Sequence, residues 1–177
     1  MSTPALSNGL NQVSRIARLC DFLEHPAIRE ALKAVPCTMP QTLGAFSFEE
    51  PLWMGFGVVG VWAALDAYAE RACLAKSTCS VCKRASCLVA RFKQTGKVST
   101  QLLNAIAEVE DLRNLFAHNF AGEADAEYFG WNRHLLKQNA NVRLSSGGHF
   151  DGRWVALQTA HLRYYATCAA DVLKALG

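Results

Sequence analysis

The chain has 177 residues, of which 51% are hydrophobic and 19% are charged, with a formal net charge of +3. This composition excludes a disordered tail and predicts a single domain over residues 1–177 with one hydrophobic core. The N-terminus lacks a basic region followed by an apolar stretch, and the seven cysteines are an odd number, so we expect a cytoplasmic protein with free thiols.

The first half of the chain predicts three helices. The apolar spacing of residues 10–24 is close to the helical period, and His25-Pro26 interrupts it before a short second helix over Ala27–Val35. After an irregular, proline-containing connection, a third helix is predicted from about Glu50 to Leu74. Its apolar run is too short to cross a bilayer, and it contains glycines that suit close packing against a neighbour: Gly55, Gly57 and Gly60.

The second half contains the clearest helical pattern in the chain. A polar loop over Ser77–Ser86 and a short helix over Cys87–Phe92 come first, and Gly96 closes that helix. Ser99 or Thr100 is then predicted to cap a long amphipathic helix. Its apolar residues recur every three or four positions: Leu102, Ile106, Val109, Leu112, Phe116 and Phe120.

The C-terminal part predicts a hairpin followed by a helix. Asn141–Leu144 and Arg153–Leu157 can form its two strands around a glycine-rich turn. Thr159 is predicted to cap a last helix that continues to Leu176. We therefore predict an all-α fold, an antiparallel bundle of four to five helices, with which a small β-hairpin before the last helix is compatible.

A basic segment without acidic residues lies between Arg71 and Ala107, and it holds seven Lys and Arg residues. Such a local excess of positive charge suits contacts with a phosphate backbone, whereas a solvated basic face or a protein partner explains it equally well. The candidate RNA-binding residues are Lys83, Arg84, Arg91, Lys93 and Lys97.

The same segment carries a cluster of cysteines. Cys79 and Cys82 form a Cys-x-x-Cys pair, which is the usual half of a zinc site, and Cys73 and Cys87 flank it. The flanking spacings are irregular and the chain has no second such pair. Free thiols are therefore the first interpretation, and a zinc site is the alternative.

A dense group of polar residues occupies the C-terminal part of the long helix. Glu110, Asn114 and His118 are spaced i, i+4, i+8, so they lie along one line of the helix, where Asn114 can bond the imidazole and Glu110 can hold Asn114 or Arg113. Arg113 and His118 are about 140° apart around an ideal helix. Their joint use therefore needs an unwound helix end or a second copy of the chain.

The string from Arg113 to His118, Arg-Asn-Leu-Phe-Ala-His, resembles the Arg-polar-x-x-x-His signature of HEPN domains. These are the helical ribonuclease modules of toxin-antitoxin systems, abortive-infection proteins and RNA-targeting CRISPR effectors. Similar proteins also place the motif near the end of a long helix, with an acidic residue shortly before it. The resemblance implies a homodimer in which two copies of the motif face each other across one cleft.

The resemblance further implies RNA cleavage that needs no metal or other cofactor. Histidine takes the proton of the ribose 2'-hydroxyl or donates one to the leaving 5'-oxygen, and arginine neutralises the extra negative charge on the pentacoordinate phosphorus. The expected product is a 2',3'-cyclic phosphate. The expected catalytic residues are Arg113 and His118, assisted by Asn114 and Glu110. His118 lies near a helix C-terminus, where the macrodipole favours its protonated form.

One position departs from the pattern of similar toxins. Toxins that a partner nucleotidyltransferase silences carry a tyrosine two positions after the histidine, and this chain has Phe120 there. An inhibitory partner protein would therefore have to act by another route. Because many similar domains are inactive, a non-catalytic module that binds RNA or a partner protein is the alternative function.

Overall fold

The computed structural model describes residues 3–34, 49–74, 87–118, 142–150 and 155–177, without the side chains of some residues that border the gaps. Within these ranges the chain forms six helices and three short strands. The helices are α1 (Pro4–Glu24), α2 (Pro26–Ala34), α3 (Glu49–Arg71), α4 (Leu88–Gln94), α5 (Thr100–His118) and α6 (Thr159–Leu176). The strands are β1 (Val142–Arg143), β2 (His149–Phe150) and β3 (Val155–Ala156).

Helices α1, α3, α5 and α6 form an antiparallel bundle around one core. Gly9 near the start of α1 packs against Leu173 near the end of α6, whereas Glu24 at the end of α1 meets Thr159 at the start of α6. The apolar stripes of all four helices meet in this core, which includes fully buried residues from each: Cys20, Val58, Ile106, Leu112, Leu162 and Val172. The predicted all-α antiparallel bundle is confirmed.

The glycines of α3 allow its neighbours to approach closely, as predicted. A Cβ atom on Gly55 would lie 2.7 Å from a ring carbon of Phe116 in α5, and one on Gly57 would overlap a methyl group of Leu162 in α6. Gly60 is close to Ile16 of α1 in the same way. The neighbouring helices therefore pack closely against α3 because three of its positions lack side chains. In the parts of the chain that are described, no helix combines the length and apolar character needed to span a membrane.

Two helix starts follow from short polar side chains. Ser99 Oγ accepts a hydrogen bond from the Leu102 N–H at 3.4 Å, which confirms the predicted cap of α5. Helix α1 begins earlier than predicted, because Thr3 caps it by accepting from the Leu6 N–H at 3.3 Å and Pro4 occupies the first turn. A Thr-Pro pair is thus a stronger signal than the apolar period on which the prediction rested.

The predicted hairpin is present with a different pairing. Strand β1 pairs with β2, so that Val142 lies opposite Phe150, and β2 pairs with β3 to give a three-stranded antiparallel sheet. The predicted second strand, Arg153–Leu157, contains β3, which pairs with β2 rather than with β1. The glycine-rich turn is where the sequence placed it, since Gly147 has the positive φ of 89° that a tight turn needs.

At the start of helix α6, a histidine accepts a hydrogen bond from the backbone of the cap residue. Thr159 is its first residue rather than its cap, and the Thr159 hydroxyl donates to the Glu24 carboxylate of α1. The cap is Gln158, whose backbone N–H donates to His161 Nδ1 at 2.9 Å. Partial burial lowers the pKa of His161 from its usual value of 6.5. Only the neutral imidazole can accept this hydrogen bond, so the cap also depends on that form.

Acidification is expected to destabilise the fold through His161. Because the folded-state pKa lies below the unfolded value of 6.5, this contribution is fully present above that pH and is lost as the pH falls through the lowered folded-state pKa. His161→Gln keeps an acceptor at the same place and removes the titration. When the pH is lowered from about 7.5 to about 5.5, the melting temperature should fall further for the wild type than for His161→Gln. Equal falls for both proteins would contradict the assignment.

Candidate functional site

Arg113 and Asn114 come together near the C-terminal end of α5. The Arg113 Nη1 donates a hydrogen bond to Asn114 Oδ1 at 2.6 Å. Around them Leu112, Leu115 and Phe116 are buried in the core, so α5 is covered on most sides in this turn. Arg113 is partly exposed and Asn114 is 5% exposed. Among residues 112–116, Arg113 is therefore the one that is not fully buried.

An aromatic ring of the neighbouring helix holds the Arg113 guanidinium from another direction. Its central carbon lies 3.8 Å from the centre of the Trp62 ring in α3, well within the range of a cation–π contact. A guanidinium has five N–H donors, and this contact uses none of them. Arg113 is thus held by two neighbours, the Asn114 side chain and the Trp62 ring.

Asn114 faces the interior of its own chain. Its Oδ1 accepts from Arg113, and its amide nitrogen is buried without a hydrogen-bond partner in the structure. From its position between Glu110 and His118 on one line of α5, we expected Asn114 to border a dimer interface, but the packing of α5 in its own bundle covers this residue. Its visible role is to orient Arg113.

Glu110 lies on the same helix but turns toward α4. Its Oε1 accepts from the Leu88 backbone N–H and its Oε2 from the Cys87 thiol, both at 3.2 Å. The carboxylate therefore stabilises the N-terminus of α4 instead of holding Arg113 or Asn114. We assign Glu110 a structural role and no part in the chemistry.

Arg91 is buried, and its predicted contact with RNA is wrong. Its side chain is 1% exposed and forms ion pairs with Asp66 at 3.6 Å and Glu70 at 2.9 Å, both in α3. It also donates to the Leu74 carbonyl at 3.1 Å. Arg91 thus anchors α4 to α3, because an arginine enters a core only with such partners.

The other basic candidates are divided. Lys93 and Lys97 are exposed, as an RNA contact requires. Lys97 lies close to the start of α5 and donates to the Leu176 carbonyl at 3.4 Å, so the whole length of α5 separates it from His118. Lys83 and Arg84 lie outside the described residues.

His118 is the last described residue of α5, which is helical up to and including it. The side chain of His118, like Phe120, lies outside what the structure describes. Because the backbone is helical through residue 118, positions 113 and 118 are about 140° apart around the helix axis. Unwinding before the histidine, one of the two ways to bring both residues to one phosphate, is not seen here.

The cysteine cluster is described only in part. Cys87 is buried and donates to Glu110, Cys73 is exposed, and Cys79 and Cys82 lie outside the described residues. Among the residues that are described, no three histidine, cysteine or acidic side chains are grouped closely enough to hold a metal ion. The alternative of a zinc site depends on Cys79 and Cys82 and stays a prediction.

Comparison with models of protein families, with curated proteins and with solved structures found no match for this chain.

Two residues of importance were missed by the sequence analysis. Trp62 was not singled out, although Trp62, Asp66 and Glu70 form a line on an otherwise apolar helix, which is a signal of a polar neighbour. Glu108 of α5 was not considered. It accepts from the Tyr165 hydroxyl at 2.9 Å and from the backbone and hydroxyl of Ser145, so it fixes the hairpin against the bundle. Burial, reinforced by Glu108, raises the pKa of Tyr165.

Proposed function

We propose that this chain is a HEPN-type endoribonuclease that cleaves RNA without a metal, as a toxin or antiviral effector in the cytoplasm. The observation that supports the proposal is the Arg113 guanidinium, which Asn114 orients at 2.6 Å in the last turns of α5. It stands five residues before His118 in the Arg-Asn-x-x-x-His motif. An arginine fixed at this place can bind a phosphate through two parallel hydrogen bonds.

The proposed reaction moves two protons. The ribose 2'-oxygen loses its proton to a base and bonds to phosphorus, the bond from phosphorus to the 5'-oxygen breaks, and an acid protonates that oxygen. A 2',3'-cyclic phosphate and a 5'-hydroxyl are the products. Imidazole serves in either role near neutral pH. Arg113 stabilises the additional negative charge that develops on the phosphoryl oxygens.

A homodimer supplies what one chain lacks. One straight helix cannot direct its own Arg113 and His118 at the same phosphate, whereas a dimer can combine Arg113 of one chain with His118 of the other. The helical backbone of α5 through residue 118 supports this assembly, since positions 113 and 118 are about 140° apart around the helix axis. A two-fold axis near the end of α5 brings each motif opposite its symmetry mate.

The test is cleavage of RNA by the purified chain in the presence of EDTA. We expect fragments with 2',3'-cyclic phosphate ends, and we expect a variant that carries both Arg113→Ala and His118→Ala to be slower by about 10²–10⁴-fold. His149→Ala, which removes an exposed histidine of β2, is the matched control.

Equal cleavage by the wild type and the double variant would reject the proposal, because it would assign the activity to a contaminant. RNA that is bound but left intact would favour the alternative, a non-catalytic RNA-binding module.

A further inference from the structure

The contact between Trp62 and Arg113 joins two helices that the sequence separates widely. Trp62 lies in α3, whereas Arg113 lies in the motif region of α5. The ring centre and the guanidinium carbon are 3.8 Å apart, and tryptophan is the aromatic side chain that attracts a cation most strongly. Asn114 Oδ1 accepts from the same guanidinium at 2.6 Å. The ring and the amide together restrict both the position and the plane of the Arg113 head group.

This restriction matters because arginine has a long and flexible side chain. Ordering a free arginine on a ligand costs conformational entropy, because its many rotamers are reduced to one. A side chain that is already held in the unliganded protein loses less freedom when it binds, so its ligand binds more tightly.

A second arginine, Arg91 of α4, contacts the same line of α3 in a different way. Trp62, Asp66 and Glu70 are spaced four residues apart, so they lie along one line of the helix. Asp66 and Glu70 form ion pairs with Arg91 and compensate its charge in the interior. The Trp62 ring holds Arg113 without adding a negative charge, which would compete with a phosphate.

From these observations we infer that Trp62 is a positioning residue, which holds the Arg113 guanidinium where the proposed site binds a phosphate of RNA. The inference rests on the proposed function and adds to it a residue outside the motif. It requires that Trp62 contributes to RNA binding only through Arg113.

The test is a double-mutant cycle on RNA binding. The probe is a short fluorescent single-stranded RNA with 2'-O-methyl groups, which cannot be cleaved through its 2'-oxygen, so binding is measured apart from cleavage. We expect Trp62→Leu to weaken binding by about twofold to thirtyfold in the wild-type background. It should change binding by less than about twofold in the Arg113→Ala background. Trp62→Phe, which keeps an aromatic ring, should retain most of the affinity.

Trp53→Leu is the matched control, because Trp53 is a half-buried tryptophan of the same helix. Its ring lies 6.0 Å from the Phe56 ring in a tilted arrangement. It should leave the affinity unchanged, and circular dichroism should confirm that all variants are folded. Equal weakening by Trp62→Leu in both backgrounds, no weakening in a folded variant, or no binding of the probe by the wild type would overturn the inference. A cycle with the expected coupling in a protein that does not cleave RNA would reject the nuclease and leave the role of Trp62 standing.

Discussion

Mixing Arg113→Ala chains with His118→Ala chains is expected to restore RNA cleavage to about one quarter of the wild-type rate. Each variant alone should be slower than the wild type by about 10²–10⁴-fold. In a random mixture about half of the dimers contain one chain of each kind. Such a dimer holds one Arg113 and one His118 on opposite chains, so one of its two shared sites is complete. Half of the dimers, each with half of the wild-type sites, give the expected quarter of the rate.

The mixture is prepared by co-expression with two different affinity tags, so that mixed dimers can be purified and assayed. Two differently tagged Arg113→Ala chains serve as the control and should remain inactive. Inactive mixed dimers would place Arg113 and His118 of one chain in the same site. Sedimentation that shows a monomer at micromolar concentration would reject the shared site altogether.

Arg91→Met is expected to lower the free energy of unfolding by about 2–4 kcal/mol. The methionine can fill much of the space, but Asp66 and Glu70 lose their buried cation and the Leu74 carbonyl loses a donor. The two carboxylates are partly exposed, so water replaces some of the lost contacts and keeps the cost below that of a fully buried pair. Urea unfolding followed by circular dichroism measures the effect.

Lys93→Met in the same short helix is the control, since Lys93 is exposed and its loss should change stability by less than about 0.5 kcal/mol. Similar unfolding midpoints for Arg91→Met and the wild type would show that Arg91 does not anchor α4.

Local signals in the sequence were sufficient to predict most of the bundle. Ser99 before an amphipathic stretch, the His25-Pro26 interruption and the glycine-rich turn before the last helix each act within a few residues, so they can be interpreted without knowledge of the fold. The glycines of α3 predicted close packing for the same reason, although their partners, Phe116 and Leu162, became known only from the structure.

The candidate site was likewise predicted from the sequence only in part. The sequence alone identified the motif from Arg113 to His118 and its place near the end of a long helix, because both depend on spacing along one helix. It could not separate Arg91 from Lys93, two cations on one short helix, since their different burial depends on carboxylates about 20 residues earlier in the chain.

Tertiary packing also determined the roles of Glu110 and Trp62. Glu110 can form hydrogen bonds with residues of its own helix or with a neighbouring backbone. It accepts from the Leu88 N–H because α4 packs beside it. In the sequence Trp62 is indistinguishable from an ordinary packing residue, whereas in the structure the packing of α5 places Arg113 over its ring. Spacing along one helix tells which side chains share a face, whereas the partner of that face is determined by how distant helices pack together.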